Sequence, residues 1–317
     1  MNDIIRIGTR GSELALWQTR HVKTLLETRY PGIIIEVITM KTTGDKILDA
    51  PLAKIGDKGL FTKELEVALL EERIDMAVHS YKDVPTAIPD GLSISAVLER
   101  EDPHDVFISN PQKEHSSFFH MPQGAVVATG SLRRKCQLFH ARPDLQIIDI
   151  RGNLNTRMKK LRESDWDGMI LAKAGVTRLG WSEHITEVLP FDIMLPAVGQ
   201  GALAIEIRTK DLQLKKLLLA LDHPPTTIAV TAERALLKHL EGGCQIPIGA
   251  YGRIHNNELH LDAVIGSFDG KKIVRGNLSG STDQASQLGV ELAQRLLLQG
   301  GKEILEDIRN NNSLTTP

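Results

Sequence analysis

Cysteine is nearly absent from this chain: there are 2 among 317 residues, Cys136 and Cys244. Two thiols cannot build the disulfide framework of a small secreted domain, nor a four-cysteine metal site. Aromatic residues make up only 4%, and 38 Lys and Arg against 40 Asp and Glu leave a net charge of -2. A general nucleic-acid surface needs a broad basic face with stacking rings, so that class is disfavoured. No apolar run reaches the roughly 20 residues of a membrane-spanning helix. Residues 1–8 lack the apolar core of a secretory signal, and a cytoplasmic protein is expected. There is no internal repeat, no low-complexity segment, no P-loop spacing and no convincing metal-ligand spacing. What remains, at 41% hydrophobic and 25% charged residues, is a globular composition with room for two or three domains.

Against that balanced background, arginine is concentrated in two short stretches. Thr129, Gly130, Ser131, Leu132, Arg133, Arg134 follows an apolar run at residues 125–128, and Asp149 to Arg157, with Arg151 and Arg157, follows another at residues 145–150. Both runs read as buried strands, so both clusters sit at strand-to-helix turns. Open α/β sheets bind ligands at such carboxyl ends, where the next helix offers free N–H groups and the positive end of its dipole. A pocket for a small polyanion is the expectation. Solvated arginines at helix starts are the plain alternative for either turn taken singly.

The rest of the chain supplies the frame. Residues 4–8, 33–40 and 74–79 read as strands, with helices over 12–28 and 61–72 between them, a βαβαβ order that favours a parallel sheet. Ser12 is a plausible N-cap. The connection from Lys41 to Gly59 is long enough for a mobile lid. A second α/β unit has strands near Val106, Val126, Ile147 and Met169, with helices beginning near Ser131 and Asn153. Val198, Gly199, Gln200, Gly201 then leads into an alternating strand that can return to the first unit. The expected fold is two α/β lobes like those of periplasmic binding proteins, joined by two crossovers across a hinged cleft. A C-terminal α+β domain follows, with a helix over 227–240, a left-handed glycine cap at Gly242 or Gly243, three strands and a last helix. The boundaries are read as 1–99 plus 198–220, 104–194, and 224–317.

The first lobe repeats the placing of charge after a strand. Thr9, Arg10, Gly11, Ser12 follows the first, and His79, Ser80, Tyr81, Lys82, Asp83, Val84, Pro85 follows the third. Lys82 beside Asp83 is either a surface ion pair or a functional tip whose carboxylate stabilises developing positive charge. His79 reads as a satisfied, partly buried histidine. Cys244 follows a helix C-terminus, which does not lower a thiol pKa, so the local sequence does not predict a nucleophile there. Cys136 reads as packing.

These motifs, in this order and across essentially the whole chain, resemble the porphobilinogen deaminase (hydroxymethylbilane synthase) family. The carriers are Gly8 to Arg10 with Leu14 to Gln18; Lys58 to Phe61; His79 to Pro85; Ser131 to Arg134; Arg151 to Asn153; Val198 to Gly201; and Gly242 to Gly249. The resemblance implies a transferase that joins four porphobilinogen molecules with loss of ammonia and releases the linear tetrapyrrole by hydrolysis. It implies a dipyrromethane cofactor held by a thioether to Cys244. It assigns Lys82, Ser131, Arg133 and Arg134 to the cofactor, with Thr129, Ser80, Lys58 and Asp45, and gives the incoming substrate or growing chain to Arg10, Ser12, Arg151, Arg157, Arg178, Gln200 and Phe61. Asp83 would take the pyrrole N–H groups and is the chief catalytic candidate, with Arg10 and Lys82. Each pyrrole carries two carboxylates, which bidentate guanidinium groups suit. The implied partners are porphobilinogen and the oligopyrrole, with no metal, nucleic acid or membrane, and a monomer. Tyr81 departs from the Met or Leu usual in the family, Gly130 from a frequent Ser, and Gly11 from a larger polar residue. The rival reading is a two-lobed protein that captures an anionic metabolite without transforming it.

Overall fold

The computed structural model describes residues 4–46, 59–113, 115–242 and 246–313. Three sheets organise it. The first has the order β2-β1-β3-β10-β4, built from β1 (Ile4–Arg10), β2 (Ile34–Met40), β3 (Met76–Ser80), β4 (Leu92–Val97) and β10 (Leu203–Arg208). The second has the order β7-β6-β8-β5-β9, from β5 (Asp105–Ser109), β6 (Val126–Ala128), β7 (Gln146–Ile148), β8 (Gly168–Ala172) and β9 (Glu187–Leu189). In each, the first three strands run parallel and the fourth is antiparallel to its neighbours. Those antiparallel strands, β10 and β5, each enter just after a crossover between the lobes. The sheets are therefore mixed rather than wholly parallel, and β4 and β9 are strands beyond those expected from periodicity.

Burial explains the patterns. β8 reads Gly-Met-Ile-Leu-Ala and is buried at every position, as a central strand covered on both faces should be. By contrast β13 (Ile273–Ser281) alternates between part-buried and exposed positions, because one face of the third sheet, β11-β12-β13, is open. Its partners are β11 (Ile248–His255) and β12 (Glu258–Gly266), joined by a turn in which Asn256 and Asn257 both have positive φ. The helices Pro224–His239 and Ala285–Leu296 cover the other face, and a further helix, Lys302–Ser313, closes the core through Ile304, Leu305 and Ile308.

Helix ends follow their caps. Ser12, Ser131 and Asn153 accept from the backbone N–H three residues on, opening the helices Glu13–Arg29, Leu132–Ala141 and Leu154–Arg162. The C-terminus of Pro224–His239 corrects the expected glycine cap. Glu241 is the residue in the left-handed region (φ 51), while the Gly242 N–H reaches back to the Leu237 carbonyl at 2.9 Å. Gly242 is small for another reason: a Cβ there would meet Leu237 and Ile248 at 2.5 and 2.6 Å. The connection after β2 opens with the short helix Thr43–Lys46, held where Glu64 accepts from the Thr43 N–H (2.8 Å) and hydroxyl (2.5 Å).

A buried ion pair ties the three sheets together where the chain crosses between lobes. Arg100 meets the fully buried Glu233 at 2.5 Å and donates from Nε to the Gln200 carbonyl at 2.7 Å. Glu233 also accepts from the Gly199 and Gly252 N–H groups at 2.7 and 2.8 Å. One carboxylate thus anchors the second crossover and the third sheet at once.

Candidate active site

Strand tips from both lobes face one cleft of about 1390 Å³, larger than the roughly 300–1,000 Å³ that suits a drug-sized ligand. From the first sheet come Arg10 and Ser12 after β1, and Lys82 and Asp83 in the tight turn Tyr81–Asp83 after β3. The second sheet contributes Ser131, Arg133 and Arg134 after β6, and Arg151 and Arg157 after β7. Gln200 enters from the second crossover, and Phe61 lies at the side where the Arg10 guanidinium sits 4.2 Å from its ring centre. Gly130 sits where a Cβ would come within 2.8 Å of the Ile150 carbonyl oxygen, so this close approach of two strand ends favours glycine.

The electrostatics are uneven across the cleft. Its cationic residues outnumber its carboxylates, which are Glu66, Asp83 and Asp149, and Asp149 is paired with Lys135 at 2.8 Å. Desolvation pulls the Lys82 ammonium down to about 8. Desolvation, with Arg134 and Arg151 nearby, pulls Arg157 down to about 10. Among the described residues neither makes an ion pair; Lys82 reaches only the Gln200 side-chain oxygen, at 3.4 Å, and Arg157 donates to the Gly152 carbonyl at 2.8 Å. Asp83 favours the charged form of both, but desolvation outweighs it, and desolvated cations with no direct ion pair at a cleft wall favour anions from outside the chain.

Arg133 and Arg134 differ, because they already have a partner. The fully buried Asp105 receives Arg133 at 2.6 Å and Arg134 at 2.7 Å, and the Gln200 amide donates to it at 3.0 Å. Burial pushes this carboxyl up, but the two guanidinium groups outweigh it and hold it well below the usual carboxylate range. The arginines also bind the Leu195 and Ile170 carbonyls, at 2.7 and 3.0 Å. Asp105, at the start of β5, is legible in the sequence only as the end of an acidic turn, because it lies 28 and 29 residues from its partners. Its one local signal is an acidic residue where an apolar strand begins.

Other candidates are placed differently. The Arg178 guanidinium donates to the Gly201 carbonyl at 2.6 Å, lies 5.8 Å from the Trp17 ring centre and is not among the residues lining the cleft. Thr129 is fully buried and accepts from the Ser131 N–H, and Ser80 accepts from the Gln18 amide at 2.8 Å; both support turns behind the cleft wall. His79 forms a buried pair with Glu206 at 3.0 Å, and burial drives the Cys136 thiol up to about 12. Lys58, Cys244 and the Asp45 side chain lie outside the described residues. Gly242 and Ile246, the nearest described residues on either side of Cys244 in sequence, both line the cleft.

Two family models match this arrangement. One, described as porphobilinogen deaminase, dipyromethane cofactor binding domain, covers residues 5–216, and the other, porphobilinogen deaminase, C-terminal domain, covers 227–298. The chain belongs to the porphobilinogen deaminase family. Curated relatives of that name include one from Carboxydothermus hydrogenoformans, 54% identical over 98% of this chain and 99% of its own. Another, from Desulforamulus reducens, is 52% identical, again over 98% of this chain and 99% of its own. Among solved structures, the Bordetella pertussis BvgS VFT2 domain aligns with 15% identity and a TM-score of 0.42 over 68% of this chain and 85% of that one. The two-lobed description rests on the strand orders given above. Family membership brings a dipyrromethane cofactor, and the cleft fits it: a group with two carboxylates per ring suits walls on which Lys82 and Arg157 make no ion pair among the described residues.

Proposed function

We infer that this protein condenses four molecules of porphobilinogen, each with loss of ammonia, into the linear tetrapyrrole hydroxymethylbilane and releases it by hydrolysis. The reading is carried by the convergence of desolvated Lys82 from the first lobe and Arg157 from the second, neither in an ion pair among the described residues, on a single cleft that also holds Asp83. A dipyrromethane group tethered to Cys244 would supply the free ring position from which the chain starts, each later unit adding to the ring before it. Lys82 and Ser131, with Arg133 and Arg134 braced by Asp105, are the residues suited to hold its carboxylates. Arg10, Arg151 and Arg157 are suited to the carboxylates of the incoming unit and the lengthening chain, since each ring adds two negative charges. Phe61 offers a face beside Arg10.

Asp83 is the proposed catalytic carboxylate. It accepts hydrogen bonds from pyrrole N–H groups and stabilises the positive charge that develops on the substrate ring as ammonia departs. A fixed carboxylate in a partly desolvated cleft does this without reorganising at the moment of reaction. The binding-protein alternative accounts for the arginines but gives Asp83 and Cys244 nothing to do. We place the protein in the cytoplasm as a monomer, with small molecules rather than nucleic acid as partners; the family resemblance and the near-neutral charge support this.

Asp83→Asn keeps shape and hydrogen-bonding capacity but removes the charge. Turnover of porphobilinogen, followed by ammonia release, should fall by at least about a hundredfold, the usual effect of losing one electrostatic stabiliser. Near-normal turnover would show that charge at this position is not needed.

A further inference from the structure

The Asp83 carboxylate accepts no hydrogen bond from any described residue, so its aim depends on the backbone of the turn that carries it. Two sides of that turn are fixed by the first lobe and the second crossover. The Tyr81 N–H donates to the Ala202 carbonyl at 3.0 Å, and Gly199, at φ 72, lies so close that a Cβ would come within 3.2 Å of the Lys82 backbone nitrogen. The exit is held from the third unit. Arg234, on the helix Pro224–His239, donates to the Val84 carbonyl at 3.0 Å and the Pro85 carbonyl at 2.5 Å, while its guanidinium lies 4.7 Å from the Tyr81 ring centre.

We propose that Arg234, seated on Tyr81, is a positioning residue that clamps the turn on both sides of Asp83 and so sets where its carboxylate points. A desolvated guanidinium with no ion pair among the described residues, bonded to two successive carbonyls, fixes backbone more rigidly than a single-point ammonium. Tyr81 supplies the ring face that Arg234 covers. The helix bearing Arg234 ends five residues before Cys244, so one element ties the catalytic turn to the segment that carries the anchor. This inference rests on the role proposed for Asp83.

The test compares Arg234→Met and Arg234→Lys, each alone and combined with Asp83→Asn, using full-length protein. Intact mass reports primer attachment and the rate of the first addition, steady-state kinetics report kcat and KM, and thermal melting reports folding. Arg234→Met should keep its primer mass, lose about 10- to 100-fold in kcat, as expected for roughly 1 Å of misplacement, and change KM little. Arg234→Lys should recover part of the loss, and in the Asp83→Asn background neither variant should slow the first addition further. An equal loss in both backgrounds, or a primer mass missing from Arg234→Met but present in Arg234→Lys, would overturn the clamp. Normal kcat for Arg234→Met beside an impaired Asp83→Asn defeats the clamp alone; normal turnover by Asp83→Asn defeats both.

Discussion

Asp105→Asn is the substitution that most sharply separates internal neutralisation from ligand binding in this cleft. It preserves shape while removing the only carboxylate paired with Arg133 and Arg134 among the described residues, at 2.6 and 2.7 Å, and turns an amide donor toward one of them. Asp105 is fully buried and the two arginines are each 5% exposed, so water cannot replace the lost charge. Removing one partner of a buried pair costs about 3–5 kcal/mol, because a charge is left uncompensated. In a Cys244→Ser background, which removes the proposed site of primer attachment, urea denaturation should show a loss in that range. With primer attached the loss should be smaller, since its carboxylates can partly take the place of Asp105. A loss under about 1 kcal/mol in Cys244→Ser protein, the worth of an exposed ion pair, would refute the reasoning.

Glu233→Gln should also destabilise by about 3–5 kcal/mol in urea denaturation, because it removes a fully buried carboxylate and leaves the largely buried Arg100 side chain without its counterion at the junction of the three sheets; a change below about 1 kcal/mol would show the pair to be dispensable. Lys82, at about 8 when folded against about 10.4 when unfolded, gives the unfolded chain the extra proton between those values. Stability of Cys244→Ser protein should therefore rise across that window by more than in the same protein carrying Lys82→Met, and equal pH profiles would contradict the desolvation of Lys82. Arg157→Leu should lower kcat/KM by about 10- to 100-fold, the value of a charge-assisted hydrogen bond of roughly 1.5–3 kcal/mol; a smaller effect would place the oligopyrrole elsewhere in the cleft.

Local chemistry made much of this structure legible. Ser12 is legible as a cap, and Ser131 and Asn153 as helix starts, because a side chain and an N–H three residues away decide the matter. Motif order located the arginines at strand tips. What escaped was set by distant partners. Asp105 acquires its meaning from Arg133 and Arg134, and Arg178 is drawn to the Gly201 carbonyl and Trp17 by the crossing of the lobes. Glu241, not a glycine, takes the left-handed position at the helix end that propensity assigns to glycine, while Gly242 packs against Leu237 and Ile248. β4 and β9 are completed by pairing with β10 and β5, which local periodicity does not reveal.

The intact mass of the purified protein bears most directly on the claim that this cleft works on an anionic primer anchored in the third unit. The wild-type chain should exceed 35.0 kDa by the mass of two linked pyrroles, and Cys244→Ser should return it to the bare chain and abolish turnover. A wild-type protein that forms hydroxymethylbilane at the unmodified mass, or a Cys244→Ser protein that keeps the added mass, would contradict it.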